Sequence, residues 1–315
     1  MRVLVTGGAG FIGSHIVDAL LARGDAVVVV DDLSTRSRDN LDPRAELVVA
    51  DIADAAALNI ACGAFDAVAH FAAKTKVVES TEKPDLYRRV ILDGTANVLA
   101  LAVRRGASVF VNISSGGAGY GETPVCATEE TPQAPAAPYG RLKVEAESLV
   151  AGAAGAALIA SAAGAALVAG AVLRGVTLRL ANVYGPRQRG DLEGGVVAIF
   201  QERWRARAPL TVYGDGTMER DYIHVRDVAE ATLAAIDRPV AGAFNIGTGV
   251  ATSVSALIVA MSEVLGPPPG VRHVAERPGE VRRSCLDCSK AARARLWASR
   301  TPLADGLRLT VAPTA

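Results

Sequence analysis

Hydrophobic residues occur along much of the chain in short runs that alternate with longer segments of helical spacing. The first run, Arg2–Thr6, is rich in β-branched residues and has no helical period, which is typical of a buried parallel strand. Further strands are predicted over residues 26–30, 47–50, 67–71, 108–113 and 176–180, and helices over residues 11–22, 53–62 and 85–105. This alternation predicts an α/β fold with a doubly wound parallel sheet, whose ligand lies at the carboxyl edge of the strands.

The segment between the first strand and the first helix is rich in glycine. Gly7, Gly8, Gly10 and Gly13 satisfy both G-x-G-x-x-G and G-x-x-G-x-x-G. Such glycines allow a tight turn, close approach of the backbone to a pyrophosphate and close packing of helix on strand. Because a strand precedes and a helix follows, we predict a dinucleotide site of the Rossmann type rather than a glycine-rich turn without function. The candidate cofactor-binding residues here are Gly7, Gly10, Phe11, Ile12 and Gly13.

Acidic and small residues follow the other predicted strands. Asp31 and Asp32 end the second strand, where a carboxylate can accept hydrogen bonds from an adenosine ribose and repel a 2'-phosphate. This favours NAD over NADP, and the alternative is a solvated strand end. Ala72 and Ala73 are small enough for a cofactor to lie across the strand tips. The remaining candidates for cofactor binding are Ser34, Asp51, Ile52 and Phe71.

Side chains able to move a proton occur in two places. Ser114 and Ser115 follow the strand over residues 108–113, and Tyr139 and Lys143 lie four residues apart at the head of a predicted helix. Spacing of four places phenol and ammonium on one helical face. We expect the ammonium to lower the pKa of the phenol, so that a phenolate acts as general base near neutral pH. Elsewhere Y-x-x-x-K usually marks a solvated helix face, but here it follows a nucleotide loop and a serine-tipped strand.

Composition and charge narrow the class of partner. The 315 residues are 50% hydrophobic and include 33 basic and 33 acidic side chains, a size that suits one large or two unequal domains. Without a basic field we expect neither nucleic acid nor an anionic membrane as a partner, and therefore a small molecule. No charged segment with a cleavage site precedes the first strand, so we expect an unprocessed, cytoplasmic protein.

The cysteines, Cys62, Cys126, Cys285 and Cys288, are too few and too scattered to predict a disulfide framework. Cys285 and Cys288 form C-x-x-C, but a structural zinc site needs four ligands and the sequence has no second pair. We therefore expect reduced thiols and no metal.

Sequence motifs extend over residues 6–284: TGGAGFIGSH, VDDLST, HFAA, SSGGAGYGE, PYGRLK, RLANVYGPRQ, GDGTMERDYIHVRDVA, FNIGTG and RPGEVRRS. Together they resemble the extended short-chain dehydrogenase/reductase family, in its NAD-dependent sugar epimerase branch. The resemblance implies tightly held NAD, Tyr139 as catalytic base, and Lys143 as modulator of its pKa and ligand of a ribose. It also implies Ser115 as the hydroxyl between Tyr139 and the sugar O4. Ser114 is the alternative, because the glycine pair that follows leaves the alignment uncertain by one residue.

The resemblance also implies a set of substrate-binding residues: Asn182, Val197, Tyr213, Arg220, Arg277, Glu280 and Ser284. Asn182 and the two arginines would contact a diphosphate. Glu280 would bind the uridine ribose, and Ser284 would limit the sugar pocket. The implied domains are an NAD-binding domain over residues 1–182, with returning segments near 221–248, and a smaller C-terminal substrate-binding domain over residues 183–315. The segments expected to return to the main sheet lie near residues 222–225 and 243–246.

The activity implied by the resemblance is 4-epimerisation of a nucleotide sugar, interconverting UDP-glucose and UDP-galactose through a transient 4-keto sugar in a homodimer. The small Ser284 extends this hypothesis to the N-acetylhexosamine pair. Gly116 and Gly117 stand where family members that dehydrate or decarboxylate usually carry a carboxylate, which favours epimerisation. The alternatives are another nucleotide-sugar dehydratase, dehydrogenase or reductase of the same fold, and a non-catalytic nucleotide sensor.

Two features depart from the family pattern. Ile91 stands in the place of an asparagine, which weakens one expected contact on the nicotinamide side. An alanine-glycine tract over residues 150–175 is long enough to span a membrane, but no basic cluster adjoins it. We expect it to form an extended loop or a tightly packed interface helix.

Overall fold

The computed structural model describes residues 1–35, 38–61, 63–153, 173–191, 195–277 and 280–311. The chain forms two compact units. The first comprises Met1–Ser115, Ala137–Arg179 and Ala229–Phe244, and the second comprises Gly116–Ala136, Leu180–Val228 and Asn245–Ala315. The predicted division at residue 182, which assigns a ligand to each part, stays a prediction.

The strands, in chain order, are β1 (Arg2–Thr6), β2 (Ala26–Asp31), β3 (Glu46–Val49), β4 (Ala67–His70), β5 (Val109–Ser115), β6 (Arg174–Leu180), β7 (Asn182–Tyr184), β8 (Leu210–Tyr213), β9 (Glu219–His224), β10 (Gly242–Ile246), β11 (Ala251–Ser253), β12 (Val271–Val274) and β13 (Arg283–Ser284). The α-helices are α1 (Phe11–Arg23), α2 (Ala55–Ala61), α3 (Val77–Glu82), α4 (Pro84–Arg88), α5 (Gly94–Arg105), α6 (Gly116–Tyr120), α7 (Pro138–Ala153), α8 (Val196–Arg205), α9 (Val225–Asp237), α10 (Val254–Leu265), α11 (Ser289–Arg293) and α12 (Leu303–Val311).

A seven-stranded sheet in the order β10-β6-β5-β4-β1-β2-β3 belongs mainly to the first unit. β1 pairs in parallel with β2 and β4, β2 with β3, and β4 with β5. This confirms the predicted doubly wound parallel sheet and the six strands predicted between residues 2 and 180, with ends shifted by one or two residues. The strands near the centre are buried almost throughout, as expected where helices cover both faces.

The predicted helix over residues 85–105 is three helical segments in succession: α4, a π-helical turn at Arg89–Asp93, and α5. Gly94 follows the π-helical turn and packs on the segment after β3. A Cβ atom at Gly94 would lie 2.6 Å from Cδ1 of Ile52. A side chain at Gly94 would therefore require the end of the Ile52 side chain to move.

The second unit has its own sheets and core. β9 pairs with β7, β11 and β13, and β8 pairs with β12. The predicted return of residues 222–225 to the main sheet is wrong, because β9 carries these residues into the second sheet. The apolar pattern of 222–225 identifies a buried strand but not its partner. The return near residues 243–246 is confirmed as β10, which pairs beside β6. An apolar core that includes Phe200, Trp204 and Leu257 fills this unit.

The cysteines differ from the prediction. Cys126 and Cys285 form a disulfide with their Cα atoms 4.4 Å apart, so reduced thiols were the wrong expectation for these two residues. A parallel bridge between Ala127 and Leu286 brings the two segments together, although the cysteines lie 159 residues apart in sequence. Sequence spacing carries no information about such a contact. Cys288 is a free thiol.

α7 ends at Ala153, and residues 154–172 of the alanine-glycine tract lie outside the described residues. The expectations for that tract therefore stay predictions. None of the helices in the described ranges combines the length and the apolar character that crossing a membrane requires.

Candidate active site

The glycine loop lies between β1 and α1 and packs against the segment after β4. Gly7 has φ +69°, a conformation that favours glycine, and a Cβ atom there would lie 2.6 Å from the backbone nitrogen of Ala72. A Cβ atom at Gly13 would overlap the carbonyl oxygen of Gly7. Gly10 is the N-cap of α1 and has no side chain to cap its N–H groups. Open backbone N–H groups at the start of a long helix fit the pyrophosphate of a dinucleotide.

The acidic residues after β2 have different environments. Asp31 is half-buried and accepts hydrogen bonds from the backbone N–H of Ala9 at 3.0 Å and of Leu33 at 2.9 Å. Burial raises the pKa of Asp31, and these two bonds oppose the rise. Asp32 is exposed and accepts from the hydroxyl of Ser34 at 2.7 Å. Asp31 is therefore built into the glycine loop, whereas Asp32 braces only the turn that follows.

Lys74 is a polar residue of this region that the sequence analysis did not identify. Its ammonium donates to the hydroxyl of Ser34 at 3.0 Å, and its charge opposes the rise that burial causes in the pKa of Asp31. It directly follows the small residues Ala72 and Ala73, both only half-buried. The loop region thus combines the N-terminus of α1, which has no side-chain cap, with a carboxylate and a cation, and this set of donors and acceptors suits an ADP-ribose group.

The two cofactor-binding candidates that follow β3 already have partners within the protein. Asp51 is ion-paired with Arg89, N to O 2.8 Å, a partner that the sequence analysis missed. The side chain of Ile52 is buried in the core of the first unit, and its carbonyl accepts from the Asn97 side chain at 3.1 Å.

The other apolar candidates for cofactor binding differ in exposure. Phe71 is half-buried directly after β4. Phe11 is buried and Ile12 is half-buried at the start of α1.

Tyr139 lies near the start of α7, and its phenol is hydrogen-bonded to the hydroxyl of Ser115 at the end of β5. Burial raises the pKa of Tyr139 to about 12, and the bond to Ser115 opposes the rise. The expectation of a phenolate near neutral pH is thus wrong for the chain by itself. Desolvation of the hydroxyl is the stronger effect, and the ammonium of Lys143 donates to the carbonyl of Ile113 at 2.8 Å.

Lys143 and Ser114 complete the contacts between α7 and β5. Lys143 is buried, and this lowers its pKa to about 8, while the charge of Glu147 opposes the decrease. The hydroxyl of Ser114 donates to Oε1 of Glu147 at 2.5 Å. Of the two candidate serines, Ser115 therefore contacts Tyr139, and Ser114 is bonded to a different side chain.

The ring of Tyr139 packs in an apolar cluster formed by Tyr87, Ile91, Leu92, Leu142 and Ala146, with Ala73 at its edge. Ile91, the residue that departs from the family pattern, is 1% exposed there. An asparagine at this position would have to bury an amide among apolar side chains. The substitution therefore suits the packing around the tyrosine.

The second unit brings several substrate candidates close to one another. Ser284 in β13 is paired in register with Arg220 in β9. A Cβ atom at Gly117 would lie 3.0 Å from Oγ of Ser284 and 3.8 Å from Oδ1 of Asn182. Asn182 is exposed, and Ser284 is buried. Gly117, Asn182, Arg220 and Ser284 thus form one patch, called here the Ser284 patch.

Arg277 and Glu280 lie near other candidates of the second unit. The guanidinium of Arg277 stacks over the ring of Tyr213 with its Cζ atom 3.8 Å from the ring centroid. Arg220 is ion-paired with Oε1 of Glu280 at 3.6 Å. The other oxygen of Glu280, Oε2, is buried and has no hydrogen-bond partner within the described part of the chain. A buried acceptor in this state fits a hydroxyl donor from a ligand.

Three other residues of the second unit, Val197, Asp221 and Asp227, stabilise the fold. Val197 is 2% exposed in the core formed with Phe200 and Trp204, so its side chain does not line the unit's surface. Asp221 is buried and accepts from the backbone N–H and the hydroxyl of Thr248 at 2.8 and 2.6 Å. Asp227 accepts from Thr301 at 3.0 Å. Both aspartates therefore stabilise the fold.

Comparison with known proteins gives full-length relatives. A family model described as NAD dependent epimerase/dehydratase family matches residues 3–247. The chain is 37% identical to the UDP-glucose 4-epimerase of Mycolicibacterium smegmatis over 320 residues, 99% of this chain and 97% of that protein.

Two solved structures resemble the fold along nearly its whole length. The Thermus thermophilus UDP-glucose 4-epimerase in complex with NAD has a TM-score of 0.89 and 39% identity, covering 99% of this chain and 98% of that one. The Thermotoga maritima UDP-glucose 4-epimerase with UDP-glucose has a TM-score of 0.88 and 35% identity, covering 99% of this chain and 97% of that one.

Proposed function

This chain belongs to the NAD-dependent epimerase/dehydratase family, and we propose that it is a nucleotide-sugar 4-epimerase that interconverts UDP-glucose and UDP-galactose through a transient 4-keto sugar. The observation that carries the proposal is the hydrogen bond between Tyr139 and Ser115, with Lys143 one helical turn away. The glycine loop, which lies in the same unit, supports the cofactor part of the proposal.

The cofactor is NAD. Gly7, Gly10 and Gly13, with the N-terminus of α1, would hold its pyrophosphate, and Asp31 would accept hydrogen bonds from the adenosine ribose. Ser34, Asp51, Ile52, Phe71, Ala72 and Ala73 are proposed to line the rest of the cofactor. When bound, NAD would supply the hydride acceptor and donor for C4 of the sugar.

Tyr139 is the proposed general base. Its phenolate oxygen would take the proton of the sugar 4-hydroxyl as C4 loses its hydride, and would return a proton when the keto group is reduced. Ser115 would lie between the phenol and the sugar oxygen and pass the proton. The ammonium of Lys143 would stabilise the ionised phenol electrostatically and hold a ribose hydroxyl. Because burial raises the pKa of Tyr139 to about 12, the phenolate would depend on stabilisation by the hydroxyl of Ser115 and the ammonium of Lys143.

The substrate residues are proposed in the second unit. The guanidinium groups of Arg220 and Arg277 would bind the diphosphate with Asn182. The support for Glu280 as ribose ligand is its buried oxygen without a partner among the described residues. Ser284 is proposed to limit the sugar pocket, and Tyr213, under Arg277, to contact the nucleotide. Val197 would act only by supporting the core beneath.

The proposal also covers the assembly, the location and the domain roles of the enzyme. We propose a homodimer and a cytoplasmic location, and we propose that residues 1–182 bind NAD while residues 183–315 mainly bind substrate. The size of the dimer can be measured by light scattering of the purified protein.

The test is turnover of UDP-galactose by the purified protein without added NAD, followed by proton NMR of the sugar. Conversion to UDP-glucose is expected, because the hydride is returned in each cycle. If NADH accumulates in proportion to added NAD, the protein is a dehydrogenase instead. If nucleotide binds and no sugar is converted, the sensor alternative replaces the epimerase.

A further inference from the structure

Glu147 continues the catalytic face of α7. Tyr139, Lys143 and Glu147 are spaced by four residues and lie on one side of the helix, toward β5. The side chain of Glu147 is 8% exposed. Burying a carboxylate is costly unless it is paired and hydrogen-bonded, so its partners indicate what it does.

The partners of Glu147 come from two neighbouring strands. Oε2 accepts from Nε of Arg179 in β6 at 2.9 Å and from Nη2 at 2.6 Å. Oε1 accepts from the hydroxyl of Ser114 in β5 at 2.5 Å. Arg179 is itself buried. One carboxylate therefore ties α7 to both β5 and β6.

These bonds belong to an ordered series along the end of β5. Ile113 accepts from Lys143, Ser114 donates to Glu147, and Ser115 is bonded to Tyr139. Three consecutive strand residues thus hold three side chains of one helical face. A helix rises 1.5 Å per residue, so a small slide of α7 along β5 would separate the two hydroxyls at the far end.

We infer that Glu147, held by Arg179 and Ser114, is a positioning residue that sets the register of α7 on β5 and thereby the contacts of Tyr139 and Lys143. The inference rests on the proposed function for its catalytic consequence, but its structural part does not. It acts on the reaction through Lys143 and Ser114 and does not touch the substrate.

The charge of Glu147 also acts on Lys143. Among the described residues, the groups with charge or a titratable proton around Lys143 are Tyr139 and Glu147 on α7 and His70 on β4, and Arg179 on β6 is bonded to Glu147. His70 is buried between the hydroxyls of Thr6 and Thr95, and burial lowers its pKa to about 3, so it is neutral. Glu147 is the group that favours the ammonium.

The decisive variant is Glu147→Gln, which keeps size and acceptor oxygen and removes the charge. We expect kcat for UDP-galactose to fall about 10- to 100-fold, as for a catalytic group displaced by about 1 Å, with KM changed far less. The pKa of Lys143 should fall by about one unit. Glu145→Gln is the matched control, since Glu145 lies on the same helix with its side chain 55% exposed and should leave both values unchanged.

Lys143 can be followed without activity. The chain's lysines are Lys74, Lys76, Lys83, Lys143 and Lys290. In protein labelled with carbon-13 at lysine Cε, the resonance missing from Lys143→Met identifies Lys143, and its titration gives the pKa directly. A folded Glu147→Gln variant with wild-type kcat and wild-type Lys143 titration would overturn the inference. A wild-type protein without epimerase activity would overturn the proposed function instead and leave the titration result interpretable.

A second variant protects the test against misfolding. Glu147→Leu with Arg179→Met replaces the buried ion pair by apolar side chains, an exchange that is often neutral or stabilising. A merely structural pair predicts full activity in this double variant. The positioning role predicts a melting temperature near that of wild type with a low kcat, and full activity would contradict it.

Discussion

The hydroxyl of Ser115, the last residue of β5, is hydrogen-bonded to the phenol of Tyr139, the second residue of α7. The two residues lie 24 positions apart in the sequence, on elements that pack against each other. Ser114, the neighbouring candidate, faces Glu147 instead. A serine and a tyrosine in this relationship can share the proton of one substrate hydroxyl.

Tyr139→Phe should lower kcat for epimerisation by about 1,000-fold, because a general base contributes about 10²- to 10⁴-fold. The ring packs in an apolar cluster that phenylalanine fills equally well, so the melting temperature should stay within about 2 °C. Initial rates by NMR and a thermal melt provide the measurement. Tyr184→Phe, which removes a buried hydroxyl from the second unit, is the control for loss of a phenol. Undiminished turnover by Tyr139→Phe would contradict the mechanism.

The decline of kcat at alkaline pH should follow the loss of the proton from Lys143. Burial lowers its pKa to about 8, with Glu147 opposing, so the ammonium is lost as the pH rises through about 8. We expect kcat to decline above that pH, because the ionised phenol then loses its neighbouring positive charge. A pH profile from 6 to 10 on wild type and on Lys143→Met is the measurement. Lys143→Met should be slow at every pH and should lack this decline.

The lowered pKa of Lys143 also predicts a change in stability with pH, which can be measured independently of activity. The folded pKa of Lys143 lies below the ordinary 10.5, so between about pH 8 and 10.5 the unfolded chain binds more protons than the folded one. The free energy of unfolding contributed by Lys143 therefore increases as the pH rises through this window. Urea unfolding of Lys143→Met should lack that increase, and an identical slope in both proteins would refute the burial of the ammonium.

Features that depend on neighbours in sequence could be predicted before the structure. The valine-rich β1, the turn at Gly7 and the start of α1 follow from local pattern, and the spacing of Tyr139 and Lys143 follows from helix geometry. The same periodicity would have pointed to Glu147, four residues further along the face. What it lacked was a reason to expect a buried carboxylate there, which only Arg179 on another strand provides.

Features that depend on distant segments could not be predicted. The choice between Ser114 and Ser115 depends on the register of α7 on β5. The disulfide of Cys126 with Cys285 depends on a bridge between two loops. The raised pKa of Tyr139 also depends on distant segments, because proximity of charge is visible in the sequence whereas desolvation is not.

Cofactor preference should depend on Asp31 more than on Asp32. The N–H groups of Ala9 and Leu33 donate to different oxygens of Asp31, so Asp31→Asn keeps an acceptor for one of them and removes the charge that would repel a 2'-phosphate. We expect the ratio of NADP to NAD affinity to increase about tenfold, measured by calorimetry on protein freed of cofactor. Asp32→Asn is the matched control at the next position, where the side chain is exposed. If Asp32→Asn alone changes the ratio, the assignment to Asp31 is wrong.

The disulfide predicts a thiol count and a stability change. Protein denatured without reductant should show two reactive thiols fewer than the four cysteines of the sequence. Cys126→Ser with Cys285→Ser should lose about 2–4 kcal/mol of unfolding free energy, because the cross-link closes a long loop in the unfolded chain. Chemical denaturation in the presence and absence of reductant measures this. Four reactive thiols before reduction would show that the bond is not formed.

The Ser284 patch should determine which substituents on the sugar the enzyme accepts. Ser284 is buried beside Gly117, whose Cβ position lies 3.0 Å from the serine hydroxyl, so neither residue carries bulk at this point. We expect wild type to turn over UDP-N-acetylgalactosamine as well as UDP-galactose. Ser284→Leu should lower kcat/KM for the acetylated sugar about tenfold more than for the plain one, because the added side chain occupies the volume of the acetyl group. Ser289→Leu, at an exposed position further along the chain, is the control for an added leucine. Turnover of both sugars by each variant, measured by NMR, decides the question: inactivity of wild type on the acetylated sugar, or equal losses on both sugars in Ser284→Leu, would exclude Ser284 as the determinant.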